Sequence, residues 1–337
     1  MARNKIVLKN IAEATGKAMG TVSLALRDDP VIKRETREYI QKVARKLNYH
    51  PSALGRALAT QRTFILGLTI TDITNPFYGP IIESIEDAAG SKDYHVMLCN
   101  TGYEPDKEKN YIRVFIEGKV DGVVIDPVEN NEDFSNYADL SRAGIPFVLL
   151  RNIEGVKADY VMVDDEKASS VITKHMIGLG RKNIAYIGNT KCGVTDHDRF
   201  LGYKKAISEA GLIVDPELVI STGYGIEEGY SATKQLLKTG HKVDAIIAFG
   251  DLLALGALDT LAEAGVKVPQ DISVGGFDDI EFASHARVPL TTMSLPKEEL
   301  GRIAVDILIR RIKEKKEGRK SKLEKIVLDA KLMIRDS

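Results

Sequence analysis

The chain has no tryptophan, only two cysteines and no apolar run long enough to cross a bilayer, which takes about 20 residues as a helix. Each scarcity removes a class of protein. Cys99 and Cys192 sit in separate apolar stretches with no second metal-ligating side chain nearby. They are expected as reduced core thiols of a cytoplasmic protein, not as a disulfide or metal framework. The opening MARNKIVLKN carries charge but no apolar segment follows it, so it is not read as a secretory signal. The six histidines (50, 95, 175, 197, 241 and 285) are scattered without ligand spacing, and neither GxSxG, HExxH nor GxxxxGK[ST] occurs. GYGIEEG at 223–229 imitates a dinucleotide loop but has one residue too many between its last glycines, so it is expected to be a turn. No catalytic residue, metal or cofactor is assigned, and an enzyme is not expected.

At 337 residues the chain has room for two or three domains, each with its own core. Its net charge of −1 conceals an asymmetry: residues 1–62 hold 13 Lys and Arg against 5 Asp and Glu, and residues 63–337 hold 34 against 43. A basic head on an acidic body is the footprint of a nucleic-acid reader joined to something else, although a solvated basic face would give the same count.

Within the head, residues 9–16, 20–27 and 35–48 fit three short helices. The third is clearest, because Ile40, Val43, Ala44 and Leu47 form one apolar stripe at helical spacing. The first two lie in NIAEATGKAMGTVSLAL (10–26), where Ala12 permits a close crossing, Gly16 a tight turn, and Val22 fills the gap between helices. That is the pattern of a helix-turn-helix, whose second helix enters the major groove.

From Phe64 onward short apolar strands alternate with helical stretches: FILGLTI, YHVMLCN, VDGVVI, PFVLL, NIAYIG, DAIIAFG and ISVGGF. This alternation implies parallel sheets covered by helices, which bind ligands at the carboxyl ends of their strands. The residues just past the strands are polar: Asp72, Asn75, Asp126, Arg151, Asp164, Asn189, Asp251 and Asp278. Any one of them could simply cap the next helix. Their recurrence around both sheets is what a small-molecule cleft requires.

The stretches NIAEATG, TVSLAL, TREYIQKVARKLNYHPS and ALGRALAT resemble the DNA-binding headpiece and hinge of the lactose-repressor/galactose-repressor (LacI/GalR) family. LGLTITDITNPFY, HMIGLGRKNIAYIG, RFLGYKKAI, GDLLALGA and VGGFDDIEFASHARVPLTTM extend the resemblance over nearly the whole chain. It implies a small all-α helix-turn-helix headpiece at 1–50 and a hinge helix at 51–62. An α/β core of two lobes, like a periplasmic binding protein, then follows. Its N-terminal lobe is expected at 63–163 and 292–325, and its C-terminal lobe at 164–291 and 326–337.

By the same resemblance Lys17, Ala18, Met19, Gly20, Thr21, Ser23 and Leu24 occupy the recognition-helix region, and Arg27, Tyr49 and Arg56 lie against DNA. Leu58 matches the leucine that wedges between base pairs. The effector contacts implied are Arg199, Asp251 and Asp278, then Asp72, Asn75, Phe77, Arg151 and Asp164. The carboxylates favour a neutral polyhydroxylated effector, and the two arginines leave room for one acidic group. Stacking falls to Phe77, Tyr78 or a similar residue.

The chain departs from the family pattern in places. Leu24 stands where arginine is usual and cannot hydrogen-bond guanine, so the operator sequence should differ. Val7, Ala18 and Lys33 stand at helix starts where Ser or Thr caps are usual, and Gly250 stands where many relatives have Asn. The function implied is a ligand-responsive transcriptional repressor binding a palindromic operator as a homodimer, with no membrane contact. The alternatives are a purine-responsive regulator, one using a protein coregulator, and a plain solute-binding protein. The last explains neither the head nor its charge.

Overall fold

The structure is a computed structural model that describes residues 6–49, 62–129, 133–190, 193–319 and 321–337. It divides into two compact units at residues 63 and 64.

The first unit contains α1 (Leu8–Thr15), α2 (Met19–Leu26) and α3 (Arg34–Lys46), each starting one residue earlier than expected. Gly16 ends α1 at φ +64°, a left-handed conformation that favours glycine, and its N–H returns to the Ala12 carbonyl. Ile11, Val22, Ala25, Ile40 and Ala44 form a small buried core, with Ala12, Val43 and Leu47 packed against it. Gln41 on α3 donates to the Ala25 carbonyl (3.1 Å), and Arg37 pairs with Asp28 (2.6 Å). Val7, Ala18 and Lys33 are the N-cap residues of the three helices, and none makes a side-chain cap bond. Only α1 is partly compensated, since Asn10 accepts from the Val7 N–H at 2.9 Å.

Each missing cap costs about 1 kcal/mol, and the core is small. Isolated residues 1–50 are therefore expected to melt broadly by circular dichroism and to sharpen on adding operator DNA. A cooperative melt of the free fragment well above growth temperature would contradict this.

The second unit has two six-stranded sheets. The first holds β1 (Ile65–Ile70), β2 (His95–Asn100), β3 (Gly122–Ile125), β4 (Phe147–Leu149), β5 (Asp159–Val163) and β11 (Lys325–Leu328), all parallel, in the order β11-β5-β4-β3-β1-β2. The second holds β6 (Ile184–Ile187), β7 (Val219–Ile220), β8 (Ala245–Ala248), β9 (Ser273–Asp278), β10 (Thr291–Ser294) and β12 (Lys331–Met333), in the order β12-β10-β9-β8-β6-β7. Only the β10–β12 pair in it is antiparallel.

The helices covering the first sheet are α4 (Tyr78–Gly90), α5 (Pro105–Glu117) and α6 (Ser135–Arg142). Those of the second lobe are α7 (Asp165–Gly178), α8 (Val194–Glu209), α9 (Ile226–Lys238), α10 (Asp251–Glu263) and α11 (Glu281–His285). The last helix, α12 (Lys297–Lys316), returns to the first lobe, where Leu300, Ala304, Val305 and Leu308 join its core. Gly301 allows that return, because a Cβ there would lie 2.0 Å from Ser84 Oγ on α4.

Two expected lobe boundaries are corrected by the strand pairing. Residues 292–294 belong to the second sheet, since β10 lies beside β9 with Ser294 opposite Asp278. Residues 326–328 belong to the first, since β11 pairs with β5. The crossings thus fall at Leu295–Pro296, where proline has no N–H to continue a ladder, and at Asp329–Ala330. The charged stretch RRIKEKKEGRKSKLEK contains a structural tie. Arg311 makes a two-pronged pair with Asp159 (2.7 and 2.8 Å) that fastens α12 to β5. Cys99 is half-buried with a free thiol, and Cys192 lies outside the described residues.

Candidate functional site

A cavity of about 200 Å³ lies between the two lobes. Its walls are built where the sequence places polar residues after apolar strands. From the first lobe come Thr71 after β1, Asp126 after β3 and Arg151 after β4; from the second come Phe249 after β8 and Asp278 at the end of β9. The N-terminal part of α8 adds Thr195, Asp196 and Arg199. Helix α8 reaches this position by crossing α7 closely at Gly202, where a Cβ would lie 2.1 Å from the Glu166 carbonyl oxygen.

Both arginines are already neutralised. Arg151 pairs with Glu129 (2.6 Å) and Asp126 (3.4 Å). Arg199, 4% exposed, donates to Asp165 (2.7 Å) and the Phe249 carbonyl (2.5 Å), and lies 3.6 Å from Asp278. Its guanidinium sits between the rings of Phe249 and Phe277, at 4.5 and 4.3 Å from their centroids. Asp126, Glu129, Asp196 and Asp278 line the cavity against these two cations, so its charge is acidic.

Burial pushes the Asp196 carboxyl up to about 7 and the Asp278 carboxyl up to about 6, with Arg199 holding Asp278 down against that burial. Asp126 is also raised by burial, opposed by Arg151 and by the Tyr78 hydroxyl that donates to it at 2.6 Å. Glu108, fully buried, accepts from Val128 N–H, Asn136 and Tyr137, each at 2.8 Å, and so fixes the loop that carries Asp126 and Glu129.

The lobes touch directly across the cavity. Thr195 donates its N–H (2.8 Å) and hydroxyl (2.6 Å) to Glu129, and Arg151 donates to the Thr195 hydroxyl. The rings of Tyr103 and Tyr224, one from each lobe, stack at 5.4 Å.

Of the eight expected effector residues, Asn75, Phe77, Arg151, Arg199 and Asp278 line this cavity. Asp72, Asp164 and Asp251 do not. Asp72 accepts from Thr74 N–H (2.9 Å) and hydroxyl (2.7 Å) in its own turn. Asp164 caps α7, accepting from Lys167 N–H at 2.9 Å. Asp251 is fully buried and accepts from Ile280 N–H (2.9 Å) and the Thr292 hydroxyl (2.6 Å), tying α10 to the end of β9 and to β10. Gly250 leaves space for Asp278, whose Oδ2 would stand 3.1 Å from a Cβ at that position.

Sequence reasoning missed Tyr103, Glu129, Thr195, Asp196 and Tyr224 as lining residues. Thr195 and Asp196 had a usable signal, since they precede Arg199 by four and three residues and share its helix face. Tyr224 sits in the GYGIEEG stretch, where only residues 223–225 form the expected non-helical turn and residues 226–229 are already the first turn of α9.

In the first unit Lys17, Ala18, Met19, Gly20 and Arg27 are exposed on and around α2, and Thr21, Ser23 and Leu24 are half-buried. Tyr49 is also half-buried, packed against the headpiece core, so it forms part of a wall and is not a freely projecting side chain. Arg56 and Leu58, with almost all of the expected hinge, lie outside the described residues. Among the described residues no helix is long and apolar enough to cross a membrane.

Residues 7–52 match the family model of bacterial regulatory proteins of the lacI family, and residues 173–337 match that of the periplasmic binding protein-like domain. The HTH-type transcriptional repressor PurR of Vibrio atlanticus is 32% identical over 309 residues, covering 91% of this chain and 92% of that protein. The HTH-type transcriptional regulator DegA of Bacillus subtilis is 32% identical over 335 residues, covering 99% and 98%. Among solved structures, a complex of the transcriptional regulator CelR with cellobiose superposes with a TM-score of 0.73 at 28% identity, covering 98% of this chain and 99% of that one.

Proposed function

The chain belongs to the LacI family of DNA-binding transcriptional regulators, and from that membership we propose that it represses transcription from a palindromic operator as a homodimer, released or recruited by a small neutral polyhydroxylated effector in the interlobe cavity. Two headpieces reading two half-sites require two copies of the chain. The operator contacts are Lys17, Ala18, Met19, Gly20, Thr21, Ser23 and Leu24 of the recognition-helix region, with Arg27 and Tyr49 beside them, Arg56 on phosphate and Leu58 as the wedge. The cavity is regulatory, not catalytic, and the protein works in the cytoplasm.

The observation that carries the effector class is the ring of polar groups from both lobes around two arginines already paired with carboxylates. Hydroxyls on every edge of a ligand satisfy such a ring, whereas a phosphate would meet an acidic wall. The volume of about 200 Å³ is below the roughly 300–1,000 Å³ of sites for drug-sized ligands, which favours a single ring. The similar regulator CelR, in complex with cellobiose, a neutral sugar, supports the class. The stacked Tyr103–Tyr224 pair and Phe77 keep a purine as the second reading.

The test is a thermal-shift screen of the full chain against pentoses, hexoses, sugar acids, sugar phosphates and purines. A ligand binding only the folded protein raises Tm by about the equivalent of 2.7 kcal/mol at a hundredfold excess over Kd. The expected result is a shift with a neutral sugar that is lost in Asp278→Ala, and a change in operator affinity on adding that sugar. Silence across the panel would sink the cavity reading and leave the DNA-binding one.

A further inference from the structure

We infer that Asp196 is the specificity-determining residue of the cavity, its Oδ1 receiving a hydroxyl or ammonium donor of a non-anionic effector. The inference rests on reading the cavity as the effector site and goes beyond it, because it names the atom that selects the ligand.

Three observations carry it. Asp196 is 4% exposed and lines the cavity from the first turn of α8. Its Oδ2 accepts from the Tyr224 hydroxyl at 2.8 Å, which fixes the carboxyl plane. Its Oδ1 is buried and accepts from no described residue. A buried carboxylate oxygen without a donor is costly, and a ligand donor in the cavity that this residue lines would relieve that cost.

The surroundings decide the sign of that ligand. Glu129 from the opposite lobe faces Asp196 with Arg151, Arg199 lies on its own helix, and Tyr186 approaches from β6. Both arginines are paired with other carboxylates, so their pull on Asp196 only partly offsets its burial. Burial keeps this carboxyl reluctant to ionise, and a donor on Oδ1 relieves that reluctance. An anionic ligand would instead meet like charge.

The experiment is a ligand-side double-mutant cycle by calorimetry. Its probes are D-ribose, D-glucose, D-galactose and D-glucosamine, the 6-phosphates of the hexoses, and the monodeoxy derivatives of whichever parent binds tightest. The full-length protein and Asp196→Asn are compared. Asparagine keeps an acceptor for Tyr224 but turns an N–H towards the ligand donor. Its expected cost is roughly ten- to hundredfold in Kd for the parent sugar. One deoxy derivative should bind both proteins equally, which a merely structural loss would not produce. The 6-phosphates should bind the native protein more weakly than their parents.

Native binding with no Asp196→Asn penalty, or with the same penalty for every deoxy derivative, overturns the role of Asp196 and leaves the cavity as the effector site. Tighter binding of a phosphorylated probe overturns the ligand class. Absence of binding by every probe overturns both this inference and the effector reading.

Discussion

Replacing Arg199 by alanine should cost the core about 3–5 kcal/mol, enough to remove much of the stability of an ordinary domain. The side chain is 4% exposed and sits between two aromatic rings, with Asp165 at 2.7 Å and Asp278 at 3.6 Å. Truncation strands both carboxylates in a site whose burial already disfavours ionised Asp278. It also removes the donor to the Phe249 carbonyl and opens a void under the cavity floor. Urea unfolding followed by far-UV circular dichroism reads the change.

The double variant Arg199→Met, Asp165→Leu should recover part of the loss, because exchanging a whole buried pair for apolar groups of similar size is often neutral. A cost below about 1 kcal/mol for Arg199→Ala would mean that water reaches the pair and screens it. This is also why Asp278, and not Arg199, is the variant suited to testing ligand binding. Loss of ligand in Arg199→Ala would not separate a missing contact from a loosened lobe.

Much of this arrangement was legible in the sequence, and for identifiable reasons. Strands buried on both faces are nearly continuous apolar runs, so β1, β3, β6, β8 and β9 could be read with the polar residue that ends each. Gly16, Val22 and the α3 stripe fixed the headpiece because each answers a local steric demand. The short β7, of two residues, and β10, beginning with two threonines, carried no such signal and are defined by their partners. That is why the lobe boundaries slipped by a few residues. Asp164, Asp251 and Asp278 look alike in sequence, each an aspartate past a strand. One caps a helix, one ties two elements together, and one faces the cavity. Only tertiary geometry separates them. The same holds for Tyr103 and Tyr224, which meet because two lobes meet.

The ligand-free core should be more stable at pH 5 than at pH 8, the reverse of acid denaturation. The unperturbed aspartate value is 3.8, whereas burial pushes Asp196 up to about 7 and Asp278 up to about 6. Each folded-state value is thus raised above its unfolded one. The folded protein keeps a proton that the unfolded chain has already released, so the contribution is fully present below about pH 4 and is lost as pH rises through 6 to 7. Asp126 and Glu108, both raised by burial, act in the same direction. The exposed Asp133 and Glu209 and the half-buried Asp215 and Glu314 are shifted downward by their partners and act oppositely, but they titrate at or below the ordinary carboxylate range, beneath this window. The fall in stability from pH 5 to 8 therefore belongs to the carboxyls raised by burial, those of the cavity together with Glu108, Asp198 and Asp251 outside it, and the Asn variants pick out the cavity's share.

Within this window the two units between pH 5 and the Asp196 value of about 7 correspond to about 3 kcal/mol as an upper bound, since one unit is worth about 1.4. Scanning calorimetry across this window should show Tm falling by several degrees, with the slope reduced in Asp196→Asn and further reduced when Asp278→Asn is added. A Tm that climbs from pH 5 to 8, or a slope unchanged by Asp196→Asn, would contradict the assignment. Bound effector should flatten the slope, because a ligand donor on Asp196 favours the ionised carboxylate and binds more tightly as pH rises. The instability that these buried acids build into the empty cavity at neutral pH is thereby a source of coupling. Ligand relieves it, and the relief is free energy available to shift the lobes and, through them, the affinity for DNA.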